Sequence, residues 1–377
     1  MTWKERRSQL IQKLPTLMDI LEDIALREET FHLEPGMLRG LFPNHYQEGM
    51  FTTMSFPNGM VQLRPVGLLP FTYFRGESEY HPSCKPSLYR PNMTPAKVFV
   101  ERLRACELEL MISKHPMTDI FLNRTLFRMP DGSEQQIPLS IDSLALAQHY
   151  GVCTELLDLT VSKWVAAFFA CTKCKNDVYT PIKDTDSYGC FYEMGVPLED
   201  MMTAIKGSTE LKLRAVGLQP FSRPGEQAGY VLKMNKSENF NKLRVRKIKF
   251  RHDPEVSELV FNYANRAKKL FPYEPLQDKM KVLREKTIFS EDAYELTVSR
   301  YFAKEDKTEI QQWMKDGNVR IQKEPLVSFT QEECDAFEAE WPKREHEFYS
   351  RIYVQYSYSG PIKEMSGEEF AELSKIK

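Results

Sequence analysis

The nine residues from Lys163 to Cys171 constrain the fold more than any other stretch. Trp164, Val165, Phe168 and Phe169 recur at i, i+1, i+4 and i+5, with Ala166, Ala167 and Ala170 beside them. A helix with apolar and small residues around most of its circumference is buried on more than one side. Thr160 and Ser162 stand before it as capping residues. The backbone N–H groups of its first turn make Leu159 to Ser162 a candidate edge for an anion or a hydroxyl.

The chain just upstream has the same density of signals. Ser140 or Asp142 caps a short helix, Ser143 to Tyr150, which Gly151 ends as a left-handed residue. An extended piece, Val152 to Leu159, carries Thr154, Glu155 and Asp158. Gln148 and His149 either close hydrogen bonds across this loop or meet a ligand; Asp158 and Thr160 either cap or do the same.

A second stretch, Phe71 to Ser78, reads as a strand that delivers one charge to a site. β-Formers make the strand, Gly76 permits a sharp turn or the close approach of a ligand, and Arg75 lies where the strand leaves the core. A guanidinium there can hold a phosphate or carboxylate through two hydrogen bonds, or pair with a carboxylate of the chain itself. Arg90, in Leu88-Tyr89-Arg90, reads as a surface ion pair or a second phosphate partner.

Apolar positions among charges from residue 4 to 28, interrupted by Pro15, predict a helix, a break and a second helix. Two short runs about Asn58-Gly59 predict a hairpin. Thr94 and Pro95 open a helix to Ser113. Strands are expected at Gly189 to Met194 and Gly229 to Met234, with a turn-rich segment before the second carrying Arg223, Glu226 and Gln227. Leu243 to Arg251 reads as a basic strand with a bulge near Arg246 and Lys247, either a solvated edge or a nucleic-acid strip. Helices are then expected at Glu255 to Leu270, Gln277 to Phe289, Glu291 to Phe302, Lys307 to Asp316, Thr330 to Trp341 and Glu345 to Tyr353.

With 377 residues, 28% of them charged, and a net charge of -2, the bulk surface is not built for nucleic acid. No apolar run reaches the ~20 residues of a membrane span. The charged N-terminus lacks the apolar core of a signal peptide, and seven scattered cysteines suit reduced thiols, so a cytoplasmic location is expected. Cys171 and Cys174 are read as neighbours on one helix turn.

Taken together, Tyr73-Phe74-Arg75-Gly76-Glu77-Ser78, then Ala147-Gln148-His149-Tyr150-Gly151 with Thr154 and Leu156-Leu157-Asp158-Leu159-Thr160, then Val165 to Ala170, resemble the FRG domain family. Gln219-Pro220-Phe221-Ser222-Arg223 with Gln227 and Gly229 looks like its third motif. The resemblance covers roughly residues 65 to 235. Glu155 departs from it, standing where the family usually has arginine. The motif order is similar to that of ADP-ribosyltransferases of the Arg-Ser-Glu type.

That resemblance implies an α+β fold, with an ADP-ribosyltransferase-like mixed or antiparallel β core, flanking helices and a largely helical C-terminal region. The parts are a lead-in over residues 1–64, the FRG domain over 65–253 and the helical region over 254–377, which offers a surface for a regulatory partner. It implies NAD as substrate, with Phe74, Arg75, Gly76, His149, Asp158 and Arg223 binding it, and Arg75, Thr160, Glu226 and Gln227 in the catalytic set. The acceptor is a macromolecule, protein or nucleic acid, as for a bacterial toxin or phage-defence effector, with no membrane and no metal. The alternatives are a nucleotide- or anion-binding module without turnover, and a nucleic-acid-associated protein using Arg244 to Arg251.

Overall fold

Pro15 separates two N-terminal helices, Trp3–Gln12 (α1) and Leu17–Leu33 (α2). The computed structural model describes residues 2–33, 49–55, 60–69, 71–128, 133–196, 212–219 and 221–353. Phe51–Ser55 (β1) and Val61–Pro65 (β2) then pair antiparallel, as the two short runs predict. The Asn58-Gly59 turn lies outside the described residues. Thr72–Glu77 (β3) follows, then Pro95–Ser113 (α3), whose first turn is closed by the Thr94 hydroxyl accepting from the Lys97 N–H.

A short turn, Pro116–Asp119 (α4), and a small hairpin of Leu126–Arg128 (β4) and Glu134–Gln136 (β5) lead to Ser143–His149 (α5). Asp142, rather than Ser140, caps α5, and Gly151 beyond it has φ +89°. Leu156–Thr160 (β6) precedes Lys163–Cys171 (α6), capped by Ser162. Cys171 is the last residue of α6, while Cys174 is exposed on Thr172–Lys175 (β7), which pairs with Val178–Pro181 (β8). The two cysteines are therefore not neighbours on one helix turn.

Tyr188–Gly195 (β9), Leu213–Ala215 (β10), Gly229–Lys233 (β11) and Val245–Arg251 (β12) complete a six-stranded antiparallel sheet in the order β10-β11-β6-β3-β9-β12. Residues Ser222–Glu226, expected as a turn-rich loop, form a short helix (α7). β12 runs against β9 in unbroken register from Val245 to Arg251, without the expected bulge. Val245 packs on the core of one sheet face and Ile248 and Phe250 on that of the other, which is why the apolar positions change parity along a regular strand.

The C-terminal helices are Pro254–Tyr263 (α8), Pro275–Glu285 (α9), Glu291–Tyr301 (α10), Lys307–Asp316 (α11) and Gln331–Ser350 (α12). α8 stops short of the expected Leu270, in a turn where Asn265, Arg266 and Ala267 all have positive φ. The expected helix to Phe289 instead ends at Glu285, and Ile288–Ser290 (β13) pairs in parallel with Arg320–Gln322 (β14). α12 runs through Pro342 as one helix, because Phe337, Trp341, Phe348 and Tyr349 form a stripe against the β1–β2 hairpin. Ile352–Tyr353 (β15) extends that hairpin in parallel with β1.

The result is a mixed α+β fold with a mostly antiparallel sheet. α2, α6 and α8 cover one sheet face through Ile24, Phe168 and Phe261 against Phe74, Phe191 and Phe250. The C-terminal helices pack on α3 and α5 around Phe99, Leu146, Met280 and Phe289. No helix among the described residues is long and apolar enough to cross a membrane.

One irregularity positions the site. β3 pairs with β9 along its whole length, from Thr72 opposite Gly195 to Glu77 opposite Cys190. With β6 it pairs only at Phe74 and Thr160, so the sheet splits beyond that point.

Candidate functional site

Side chains alternate along β3, so Phe74 and Gly76 face α6 while Tyr73, Arg75 and Glu77 face the other way. A Cβ on Gly76 would lie 1.9 Å from the Ala166 carbonyl oxygen and 2.8 Å from the Ala170 backbone nitrogen. The glycine thus admits helix α6 against the strand. It makes no sharp turn. Gly76→Ala meets backbone that cannot swing aside, and is expected to cost about 1–3 kcal/mol or more in urea unfolding. A loss under 0.5 kcal/mol would mean that α6 does not lie this close.

Arg75 sits within β3 rather than at its end. Its Nη1 donates to the Asp158 carbonyl across the split at 2.7 Å, taking the place of a ladder hydrogen bond. Nε and Nη2 both donate to one oxygen of Glu77, at 3.2 and 3.1 Å. Glu77 also accepts from the Tyr192 hydroxyl at 3.1 Å and the Cys84 thiol at 3.2 Å.

Burial favours the uncharged form of each partner. The charges of Glu77 and Asp158 outweigh it for Arg75 and hold the guanidinium firmly protonated. Burial likewise pushes the Glu77 carboxyl up, but the Arg75 charge and the hydrogen bonds it accepts hold it below its ordinary value. Burial pushes the Cys84 thiol up to about 12. Three of the five guanidinium N–H groups are committed, which leaves one on each terminal nitrogen.

Across the split stands His149, the last residue of α5, its side chain only 4% exposed. Gln227 fixes its tautomer. The Gln227 side-chain nitrogen donates to the Leu270 carbonyl at 3.0 Å, so its oxygen faces His149 Nδ1, also at 3.0 Å, and Nδ1 must carry the proton. Nε2 then presents a lone pair, has no hydrogen-bond partner among the described residues, and lies 3.9 Å from an Asp158 carboxylate oxygen. Burial, opposed by Asp158, holds the imidazole below its ordinary 6.5. It is neutral at pH 7.

Asp158 is half exposed and accepts from the Gln148 amide at 2.7 Å. The Thr160 hydroxyl donates to the Gln227 carbonyl at 2.8 Å and accepts from the Ser162 N–H at 3.0 Å, so it ties the β6 end to the residue that orients His149.

These groups share a cavity of about 320 Å3 at the split in the sheet. Arg75, His149, Asp158, Thr160 and Gln227 all line it, with Phe74 and Gly76. Glu77, His81 and Arg90 line it too. Sequence reasoning left Glu77 inside the motif without a role and passed over His81, although both flank the arginine. Arg90 makes no ion pair among the described residues and is exposed at the cavity, so the surface-pair reading does not describe it.

Two expected members lie elsewhere. Glu226 pairs with Arg351 at 2.6 Å, because consecutive residues around the end of α7 point in different directions and Gln227 takes the inward one. Arg223 donates to the His149 carbonyl at 2.9 Å and to Gln277 at 3.2 Å, with its guanidinium 4.5 Å from the Tyr150 ring centroid. It braces α5 from behind His149 and does not line the cavity at Arg75.

The α6 N-terminus is not an open edge: Ser162 and Lys163 are buried, and Lys163 reaches Glu28 at 2.5 Å. Glu155 pairs with Arg102 of α3 at 2.5 Å, which balances the departure from the family pattern. On the basic strand, Arg246 is paired with Asp23 and Glu193, Lys247 donates to the Asn241 carbonyl, and Lys249 lies over Tyr80.

No curated protein and no solved structure matches the chain. A family model does match residues 71–178, from the start of the Arg75 strand to the first residue of β8, and so takes in Arg75, His149, Asp158 and Thr160 but not Gln227. On that match residues 71–178 form an FRG domain.

Proposed function

We propose that the cavity at Arg75 binds nicotinamide adenine dinucleotide (NAD) and transfers its ADP-ribosyl group to a macromolecular acceptor. The observation that carries this reading is the convergence of Arg75, His149, Asp158 and Gln227 on one cavity, with His149 Nε2 unpartnered among the described residues. Arg75 and Arg90 supply guanidinium donors for the diphosphate. The bond between C1′ of the ribose and the nicotinamide nitrogen breaks, and nicotinamide leaves with the electron pair. The Asp158 carboxylate stabilises the cationic sugar. An acceptor oxygen or nitrogen then bonds to C1′ and gives its proton to His149 Nε2, where Asp158 also stabilises the imidazolium.

Binding without turnover is the second reading. It is favoured by the ion pair of Glu226 with Arg351, which leaves a glutamine, Gln227, rather than a carboxylate facing inward at the third motif. Incubation of the protein with NAD, with and without cell extract as a source of acceptor, separates the two. Nicotinamide release is expected, falling at least tenfold in Arg75→Lys, which keeps the charge beside Glu77 but loses the planar fork. Stabilisation of the protein by NAD with no nicotinamide released would decide for the binding module.

A further inference from the structure

A second and larger cavity, of about 690 Å3, lies on the far side of His149 from Arg75. His149, Asp158, Phe169 and Gln227 line both, so these four residues form a shared wall. Its other walls come from the β7–β8 turn, the segment after α8 and helix α9, most of it beyond the family match.

The chemistry of its lining differs from that of the first cavity. Arg223, Arg266, Lys268, Lys281 and Arg284 line it, against three carboxylates, Asp158, Asp177 and Asp278. Asp177 is taken up by Arg284 at 3.4 Å, and Asp278 accepts from the Tyr273 hydroxyl. Lys268 and Lys281 are exposed and make no ion pair among the described residues. Arg223 is 8% exposed, and the buried Nε atoms of Arg223 and Arg284 have no hydrogen-bond partner among the described residues.

Between these cations stands an aromatic wall. Tyr179 and Phe271 stack with centroids 4.6 Å apart, and Phe169 meets Phe271 edge-on. Both rims are held in left-handed backbone by residues other than glycine: Asn176 and Asp177 on one, Asn265, Arg266 and Ala267 on the other. Such strain persists where surrounding structure enforces it. Gly151 also serves this cavity, since a Cβ there would lie 2.4 Å from an Arg284 guanidinium nitrogen.

We propose that this second cavity binds a nucleoside diphosphate, the base against the Tyr179–Phe271 wall and the phosphates among Arg266, Lys268, Lys281 and Arg284. An aromatic wall and an excess of cations around a concave site of this size match that ligand better than an extended polymer. This site is separate from the first cavity, where the diphosphate of NAD is placed at Arg75 and Arg90. The affinity for a diphosphate rests on the second cavity alone.

Titration calorimetry of the full chain with ADP tests it. Wild type is expected to bind ADP. The double variant Lys268→Glu, Lys281→Glu, both exposed, is expected to bind at least tenfold more weakly. Lys114→Glu with Lys304→Glu, an equal change of charge at exposed positions away from the cavity, is expected to change affinity less than threefold. Absence of ADP binding by wild type at millimolar concentration overturns the proposal, as does equal weakening by the two double variants or tighter binding of single-stranded RNA than of ADP. ADP binding without nicotinamide release from NAD supports this cavity while removing the transfer reaction. Nicotinamide release without ADP binding does the reverse.

Discussion

Arg75→Ala is expected to lower the free energy of unfolding by about 3–5 kcal/mol at pH 7, because it leaves a buried carboxylate without its counter-charge. The Glu77 side chain is only 12% exposed, and the Tyr192 hydroxyl and the Cys84 thiol, which remain, cannot neutralise it. The change also strips the Asp158 carbonyl of its donor at the split. Against a typical total of about 5–15 kcal/mol, such a loss is a large share.

The pH dependence has a definite sign. In wild type the Glu77 carboxyl lies below its ordinary 4.5, so its contribution is complete above that value and is lost as pH falls through the folded-state pKa. Without Arg75, only the Tyr192 and Cys84 hydrogen bonds oppose burial, and the carboxyl moves up. The folded variant then gains relative to wild type as acid protonates it. Urea melts from pH 8 to pH 4 are therefore expected to show the gap widest at neutral pH and narrowing toward acid. Adding Glu77→Gln should recover part of the loss at pH 7 and flatten the profile. A pH-independent gap, or one below 1 kcal/mol, would mean that the pair behaves as an exposed one.

That double variant bears on function as well, since it offers a folded protein without the guanidinium. The short-range features of the site were legible because each is written within a few residues: Asp142 ahead of α5, Ser162 ahead of α6, Arg75 within an alternating strand. The direction in which Gln227 and Glu226 point was not, because it depends on Leu270 and Arg351, far along the chain. For the same reason Gly76 reads as a turn in one dimension and as a helix contact in three. Nothing near Gly151 announces Arg284, and the cationic second cavity exists only once α9 has packed against α3 and α5. Where interactions join residues far apart in the chain, local pattern locates the donors and acceptors but cannot say which ones meet.

His149→Asn is the sharper test of chemistry. Asparagine can still donate to the Gln227 oxygen from the position of Nδ1, but it removes the Nε2 lone pair. On the proposed mechanism, ADP-ribosyl transfer to acceptor should fall by roughly 10²–10⁴-fold, the usual contribution of a positioned base. The wild-type rate should be flat above about pH 6.5 and should drop as acid protonates Nε2 through a value below the ordinary 6.5, since burial depresses it. In the variant that acid limb should disappear along with most of the rate, while ADP affinity changes little. Stability follows the same group: a buried neutral histidine contributes fully above its unfolded pKa and loses that contribution as pH falls through the folded one, so acid should narrow the difference in melting temperature between wild type and variant. Transfer within threefold of wild type would remove His149 from the reaction. A large loss with the acid limb unchanged would assign the proton to another group, and the half-exposed Asp158, 3.9 Å away, is the next residue to replace.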